Sequence, residues 1–559
     1  MRAWLIHPVV VAIIVTGLNA LKPVCVDDPY YLMVSAHLSV NFTQPYPDLV
    51  HWSGKQQPGM DVLCPPALPY WLAMGRLLLG ESEHRLKLWL FPIVVMLTLS
   101  LRSLQRAWQL DDRLVPLVAY GGGCLPMINV MLDVPAMACG LAAFALIVQG
   151  GLSRAALAGL MLAVGFQTKY TMMTMPVIVG LSCLLQRKWL ELIVSMAVAG
   201  ALVNGWEWYV LWKQGSSHYW HHLKDHSGKV NFPDKMNMIL SHLRHAGFLL
   251  IGPMIVVLQS QWPSGRHAWV AAAIGIITCL GVTFLPAPWG MRFARVGFHA
   301  LAVIFVIAFL VVAFRLWRSG DRFNRFLVAW MAIEFAAMVA LSPFVAGRRV
   351  VPIGFSFAIA ACRFSRSAGC EPSGQGLHGG FTPTSPTRRS RLWLVGPLLG
   401  IALFTLDAWD ARAEMVVARQ LADAFRGERL AEGIAYLGHW GFEHHLTHAP
   451  TFRGDGKLGP ALPAEPGRLV KGMASGLFSE GRMLVVPLSE LRPGHRFGLE
   501  KLDLTHFREV GRFEADDFIP GSTIPTLYGG GYPIATKPTP RFGVVLLRCN
   551  QSHNLQAKP

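Results

Sequence analysis

Residues 4–31 read WLIHPVVVAIIVTGLNALKPVCVDDPYY, an apolar run from Trp4 to Leu21 followed at once by the acidic pair Asp27-Asp28. About 20 helical residues cross a bilayer core, so the run has the length of a span. Arg2 supplies the charge that opens a signal peptide, but no small-residue cleavage pattern precedes Asp27, and the run reads as an uncleaved first span. Ionisable groups at a membrane boundary are disfavoured unless water, a partner or a ligand compensates them. Asp27 and Asp28 are therefore the first candidates for chemistry.

Working outward, the same apolar signal recurs. Of the 559 residues 53% are hydrophobic and only 15% charged, and the mean hydropathy is +0.39. That is the composition of a polytopic membrane protein. Apolar runs fall at 4–21, 87–104, 114–132, 134–152, 155–168, 171–186, 189–212, 238–260, 268–288, 297–314, 326–346, 350–362 and 392–409. Taking one span from each predicts about thirteen transmembrane helices. The formal net charge of +17 does not signal nucleic acid, because the basic residues punctuate apolar segments instead of gathering on one soluble surface.

Lys and Arg concentrate in every second short loop: Arg102/Arg106, Arg154, Arg187/Lys188, Arg266, Arg315/Arg318/Arg322/Arg325, and Arg363/Arg366 with Arg388/Arg389/Arg391. By the positive-inside rule these loops and the N-terminus are cytoplasmic. The Asp27-Asp28 loop, the loop from Lys213 to Asn237 and everything after Trp409 then face outward. The protein is expected in the plasma (inner) membrane with an extracytoplasmic C-terminal domain.

Residues 1–364 form the expected membrane module, 365–391 a cytoplasmic linker rich in Gly, Pro and Ser, 392–409 the last span, and 410–559 a small α/β domain. That domain should begin with a helix over Ala411–Leu430, with short strands such as Met483–Pro487 and Val544–Leu547 following. Nine cysteines are scattered without a CxxC or a Cys/His metal spacing, and Cys25 and Cys64 share one loop in which a disulfide could form.

The outer loop carries aromatic and apolar patches, with Tyr46, Trp52 and the stretch Pro65–Leu72, and reads as interfacial helices that wall a pocket at headgroup level. Asp133 falls where the chain turns back into the membrane on the same face, and Lys169 interrupts an apolar stretch there. Arg348-Arg349 also lie outside, against the positive-inside pattern, and an anionic lipid phosphate at the outer leaflet would account for them.

Such a set suits transfer of a sugar from a polyprenyl phosphate to a hydroxyl. The leaving phosphate is already acidic and needs charge stabilisation instead of a general acid. One carboxylate then suffices as general base, unlike glycoside hydrolysis, where two are usual. In this reading Asp27 takes the proton, and Lys169 and Arg349, with Arg348 beside it, hold the phosphate.

The succession Asp27-Asp28-x-x-Tyr31, Pro65-Pro66-x-x-x-Tyr70-Trp71, Leu132-Asp133-x-Pro135 and Thr168-Lys169 resembles the GT-C glycosyltransferases related to protein O-mannosyltransferases and the lipid A aminoarabinose transferase. The resemblance covers about the first 360 residues in order. It implies a polyprenyl-phosphate-sugar donor, Asp27 as catalytic aspartate with Asp28 its acidic neighbour, and Asp133 and Lys169 at two further family positions. Tyr31, Tyr70 and Trp71 would line the substrate pocket. The sequence departs where Cys64 stands before the Pro-Pro pair, a position at which the family often has Lys or His. Gly438-His439-Trp440-Gly441-Phe442 resembles a segment of some bacterial members of the wider group.

The acceptor stays open among a lipid, a glycan and a protein, and membrane lipids are the other partner. No cofactor follows from the sequence, although a divalent cation stays open, and no metal site is assigned. His218, His222 and His226 would share a helix face, but such a stretch is more often an aromatic interfacial helix than a metal site, and His444, His445 and His448 are no stronger. Asn41-Phe42-Thr43 is a glycosylation sequon that matters only in a eukaryotic secretory compartment.

Bland uses exist too: Asp27-Asp28 as a helix cap, Asp133 as a cap, Lys169 snorkelling and Arg348-Arg349 as a loop anchor. The rival function is a polytopic transporter or lipid flippase. Transporters place ionisable groups near the bilayer midplane, often in repeated halves, whereas these candidates cluster at span ends and no repeat is visible. A membrane-anchored sensor or scaffold would leave Asp27, Lys169 and Arg349 without a task.

Overall fold

The computed structural model describes residues 7–52, 55–225, 232–262, 266–286, 289–342, 344–368 and 391–425, and, toward the C-terminus, 434–436, 441–447, 461–463, 483–488, 507–515, 521–523, 526–529, 531–536 and 542–549. Residues 369–390 of the Gly/Pro/Ser-rich linker, Gly438-His439-Trp440, His226 and His448 lie outside the described residues, whereas 365–368 continue the helix Val351–Ala368. Two compact units emerge: Met1–Leu21, Cys64–Leu406 and Thr523–Thr536 form the first, and Lys22–Leu63, Asp407–Ser522 and Lys537–Pro559 the second.

The first unit is helical because an apolar segment that leaves water must satisfy its own backbone. Among the described residues six helices are long and apolar enough to cross a membrane: Glu83–Ala107, Trp189–Gln214, Arg266–Phe284, Trp289–Arg318, Arg322–Leu341 and Arg391–Ala424. A seventh results if the pair Asp234–Leu249 and Ile251–Gln261, bent by 72°, counts as one span, and five shorter apolar helices accompany them. The polytopic helical membrane fold is therefore present. Trp189–Gln214 presents Trp189, Ile193, Leu202, Trp208 and Trp212 outward, with tryptophans toward both ends in the manner of interfacial anchors.

Three runs depart from the sequence expectation. The stretch 114–132 is a short helix, Leu114–Ala119, and a 3-10 turn, Leu125–Met127, broken by Gly121-Gly122-Gly123 and Pro126. The bend in 238–260 falls just before Pro253, which has no N–H for the Leu249 carbonyl and whose ring crowds it. The last span runs on as Val395–Ala424 and absorbs most of the helix expected from Ala411; residues 426–430 lie outside the described ones.

Close helix crossings depend on small residues. A Cβ added at Gly247 would stand 2.5 Å from the Leu301 carbonyl carbon, and one at Gly159 would stand 2.5 Å from the Ser195 oxygen. Backbones meet at these points as they do at other membrane helix interfaces.

The second unit holds the helix Asp28–Val40, an antiparallel hairpin Val50–Trp52/Lys55–Gln57, and a five-stranded sheet. The strand order is Ala461–Pro463, Ile434–Tyr436, Met483–Pro487, Phe542–Cys549, Phe507–Ala515, with the first three parallel and the last two antiparallel to their neighbours. Val417, Leu421, Phe425, Phe442 and Leu446 pack with Tyr436, Val485, Val544 and Leu546 to form its core. The hairpin replaces part of the expected interfacial helices. Trp52 lies in a strand with its ring 5.0 Å from Tyr30, and Tyr46 is buried. Cys25 and Cys64 are both buried thiols and not a disulfide.

Gly247→Val should lower the thermal midpoint of the detergent-solubilised protein by the equivalent of about 1–3 kcal/mol of overpacking, whereas Gly200→Val, where nothing lies within 4 Å of the added Cβ, should not. Equal midpoints for the two variants would show that the Gly247 crossing is not close.

Candidate active site

Helices Asp133–Gln149 and Leu152–Thr168 are each 17 residues long and are joined by Gly150-Gly151. Both glycines adopt positive φ, +76° and +99°, which a side chain would resist, and the turn folds the helices back on each other. Equal lengths around a tight turn return the chain to its starting level, so Lys169 comes to Asp133. The Lys169 Nζ donates to Asp133 Oδ1, and the two side chains are 15% and 3% exposed. Asp133 opens its helix, where the positive end of the helix dipole favours a carboxylate.

Arg348 and Arg349 sit in the 3-10 turn Gly347–Val350, which leads into the helix Val351–Ala368. Their guanidinium groups stack on Phe344 at 5.4 and 4.8 Å, and their charges act on both Asp133 and Lys169. Lys169, Thr171, Glu334, Ser342, Arg348 and Arg349 line one cleft together with Ala337, Met338, Leu341 and Pro352. Glu334, a lone acid inside an apolar run, is 2% exposed and accepts from Thr174 Oγ1 at 3.2 Å. An acid in mid-span is a sequence signal of the same kind as Asp27.

A second overlooked acid fastens the chain on either side of Lys169. The Glu207 carboxylate is buried and accepts from Gln167 Nε2 at 2.9 Å, Ser217 Oγ at 2.6 Å and the Tyr219 amide at 3.1 Å. The Tyr170 hydroxyl lies 3.4 Å from Glu207 Oε1 and 2.6 Å from His218 Nδ1. His218 and His222 do share a helix face, with their Nε2 atoms 3.2 Å apart. Among the described residues no group of three or more His, Cys, Asp or Glu is placed to hold a metal ion.

Asp27, Asp28 and Tyr31 belong to the second unit. The turn before their helix is closed by the Asp28 amide donating to the Cys25 carbonyl at 3.1 Å and by the Cys25 amide donating to Asp28 Oδ2 at 3.2 Å. Asp28 is fully buried and Asp27 is 6% exposed. Asp27 occupies the cap position but makes no side-chain cap bond, so capping does not explain its carboxylate. The residue before it, Val26, has φ +52°.

Tyr70 and Trp71 fall on the helix Ala67–Leu79 of the first unit. Tyr70 meets Trp206 edge-on at 5.6 Å. Trp71 stacks on Trp89 at 4.9 Å, and each indole N–H donates to the other's carbonyl, at 3.1 and 2.8 Å, which gives Trp71 a packing task.

One buried pair had no sequence signal. Lys22 Nζ donates to Asp407 Oδ2 across 385 residues, and both side chains are 0% exposed. Burial disfavours the Lys22 charge, but Asp407, with Cys25 and Asp28 adding, outweighs it and holds the ammonium above the ordinary lysine value of 10.5. With a raised folded-state value, the lysine's contribution to stability is complete below 10.5 and falls away as pH rises from there through the folded value.

Lys22→Met alone should destabilise the protein by about 3–5 kcal/mol, because it strands a buried aspartate. Adding Asp407→Leu should recover most of that loss in a thermal or denaturant melt. A double variant as unstable as the single one would show that the pair acts through shape and not through charge balance.

No protein-family profile matches the chain, and no curated protein sequence resembles it. Among solved structures it is similar to the oligosaccharyltransferase AglB of Archaeoglobus fulgidus, in complex with an inhibitory peptide and a dolichol-phosphate, at 11% identity, TM-score 0.47, over 88% of this chain and 70% of that one. It is also similar to ArnT of Cupriavidus metallidurans in the apo state, at 14% identity, TM-score 0.43, over 100% and 99%. A third similar structure is the arabinofuranosyltransferase AftD from Mycobacteria, at 13% identity and TM-score 0.39, where the match spans 99% of this chain but only 40% of that one.

Proposed function

We propose that the protein is a membrane glycosyltransferase that moves a sugar from a polyprenyl-phosphate donor to a hydroxyl of an extracytoplasmic acceptor. The observation that supports this most is the cleft shared by Lys169, Arg348 and Arg349, with Asp133 paired to the lysine. Cations drawn together at the ends of apolar helices repel one another and shed water, so they call for an anion. An anion whose tail is a long hydrocarbon suits a cleft lined by both cationic and apolar side chains.

The chemistry follows from the leaving group. As the bond from the sugar's anomeric carbon to the phosphate oxygen breaks, charge grows on an oxygen that three cations can stabilise. Asp133 holds Lys169 in one place, so little reorganisation is needed when that charge develops. Asp27 accepts the proton of the attacking hydroxyl as the new glycosidic bond forms, with inversion at the anomeric carbon. Asp28, turned back onto the Cys25 amide, shapes the turn that carries Asp27. In this reading the acceptor is a lipid, a glycan or a protein.

Purified protein in nanodiscs, supplied with a panel of radiolabelled polyprenyl-phosphate sugars, should transfer or slowly hydrolyse one of them. Asp27→Asn should abolish turnover and leave donor affinity intact. Lys169→Ala should weaken donor affinity by about tenfold or more, as expected for a lost charge-assisted contact. Near-normal transfer by Asp27→Asn would overturn the assignment of the base. A folded protein inactive with every donor would favour lipid translocation instead.

A further inference from the structure

Val26 is a β-branched residue in the left-handed region, at φ +52°, directly before the proposed base. Few conformations are less congenial to valine, and strain of this kind persists only where the surroundings impose it. Hydrogen bonds between Cys25 and Asp28 close the turn locally, and further contacts come from the far end of the chain. The helix Gly441–Thr447 lies against the turn, and His445 donates from Nε2 to the Val24 carbonyl at 3.2 Å, across 421 residues. Gly441 completes the contact: a Cβ at that position would stand 2.6 Å from the Val24 oxygen, 3.2 Å from the Cys25 Cα and 2.4 Å from Glu414 Oε2. His445 is buried, and Val24, Cys25, Glu414, Gly441 and His445 all belong to the second unit.

We infer that the helix Gly441–Thr447 is the positioning element of the active-site turn: Gly441 and His445 clamp Val24 and Cys25 so that Val26 keeps its strained backbone and Asp27 is presented in one orientation. This rests on the reading of Asp27 as the base. His445 touches neither sugar nor phosphate in this scheme and acts only through the turn. Gly441 is glycine because the backbone of one segment seats directly on the other. The C-terminal segment thereby acquires a task in turnover.

The test uses the full chain in nanodiscs with saturating acceptor. His445→Ala and His445→Leu, the latter filling the space without a donor, should each lower kcat about tenfold, the equivalent of 1.4 kcal/mol, with donor KM within about twofold and little change in melting. His445→Gln, which can still donate to the Val24 carbonyl, should recover most of kcat. Hydrogen–deuterium exchange should quicken in the peptide containing residues 24–31 in His445→Ala and not in His445→Gln.

Full kcat in His445→Leu while Asp27→Asn is inactive would overturn the inference and leave the assignment of the base standing. A loss that follows melting temperature equally in all three His445 variants would overturn it too, since it would report packing alone. Turnover by Asp27→Asn would remove the reading on which the inference rests, and the inference with it.

Discussion

A charge taken out of water must find its opposite, and in so apolar a protein that constraint decides where chain segments meet. Two pairs carry it. Lys169 with Asp133 locks the ends of a helical hairpin together, and Lys22 with Asp407 ties the start of the segment carrying Asp27 to the last long helix. A buried pair is a poor source of net stability, because desolvation offsets most of the attraction. It is a strong source of specificity, because any alternative arrangement leaves one charge stranded. Packing fills the space around these points, but the pairs fix which segments are neighbours.

The two pairs differ in what else they face. Lys22 and Asp407 are wholly enclosed and leave no surface for a ligand. Lys169 keeps part of its side chain exposed to a cleft that it shares with two arginines. The first arrangement is closed and structural. The second faces a cleft lined by Lys169, Arg348 and Arg349 together with Glu334.

The parts of this fold that could be read in advance are those governed by local rules. Polytopic character followed from apolar runs and their lengths, and the strand Met483–Pro487 followed from its β-rich composition. Asp133, Lys169 and Arg348-Arg349 stood out because charge interrupts apolar sequence, and the structure brings these four together in the first unit. Asp27 and Asp28 stood out for the same reason, but they lie in the other unit. What escaped notice depends on distance along the chain. Nothing near Lys22 hints at Asp407, and nothing near Val24 hints at His445. The break at Gly121–Gly123 and the bend before Pro253 were legible in principle, since glycine and proline punctuate helices, but hydropathy averaged over a window smooths them away. Glu334 and Glu207 were hidden differently, as single acids in long apolar runs.

The contact between His445 and Val24 joins residues 421 positions apart, and this has a consequence for the making of the protein. Ribosomes add roughly 5–20 residues per second, so the segment that carries Asp27 leaves the ribosome tens of seconds before the residues that hold it. During that interval the Val26 turn is held by the local hydrogen bonds between Cys25 and Asp28, without the contact from His445. The turn around Val26 therefore gains its full set of contacts only after Gly441–Thr447 has been made, and a chain stopped short of Gly441 would lack them.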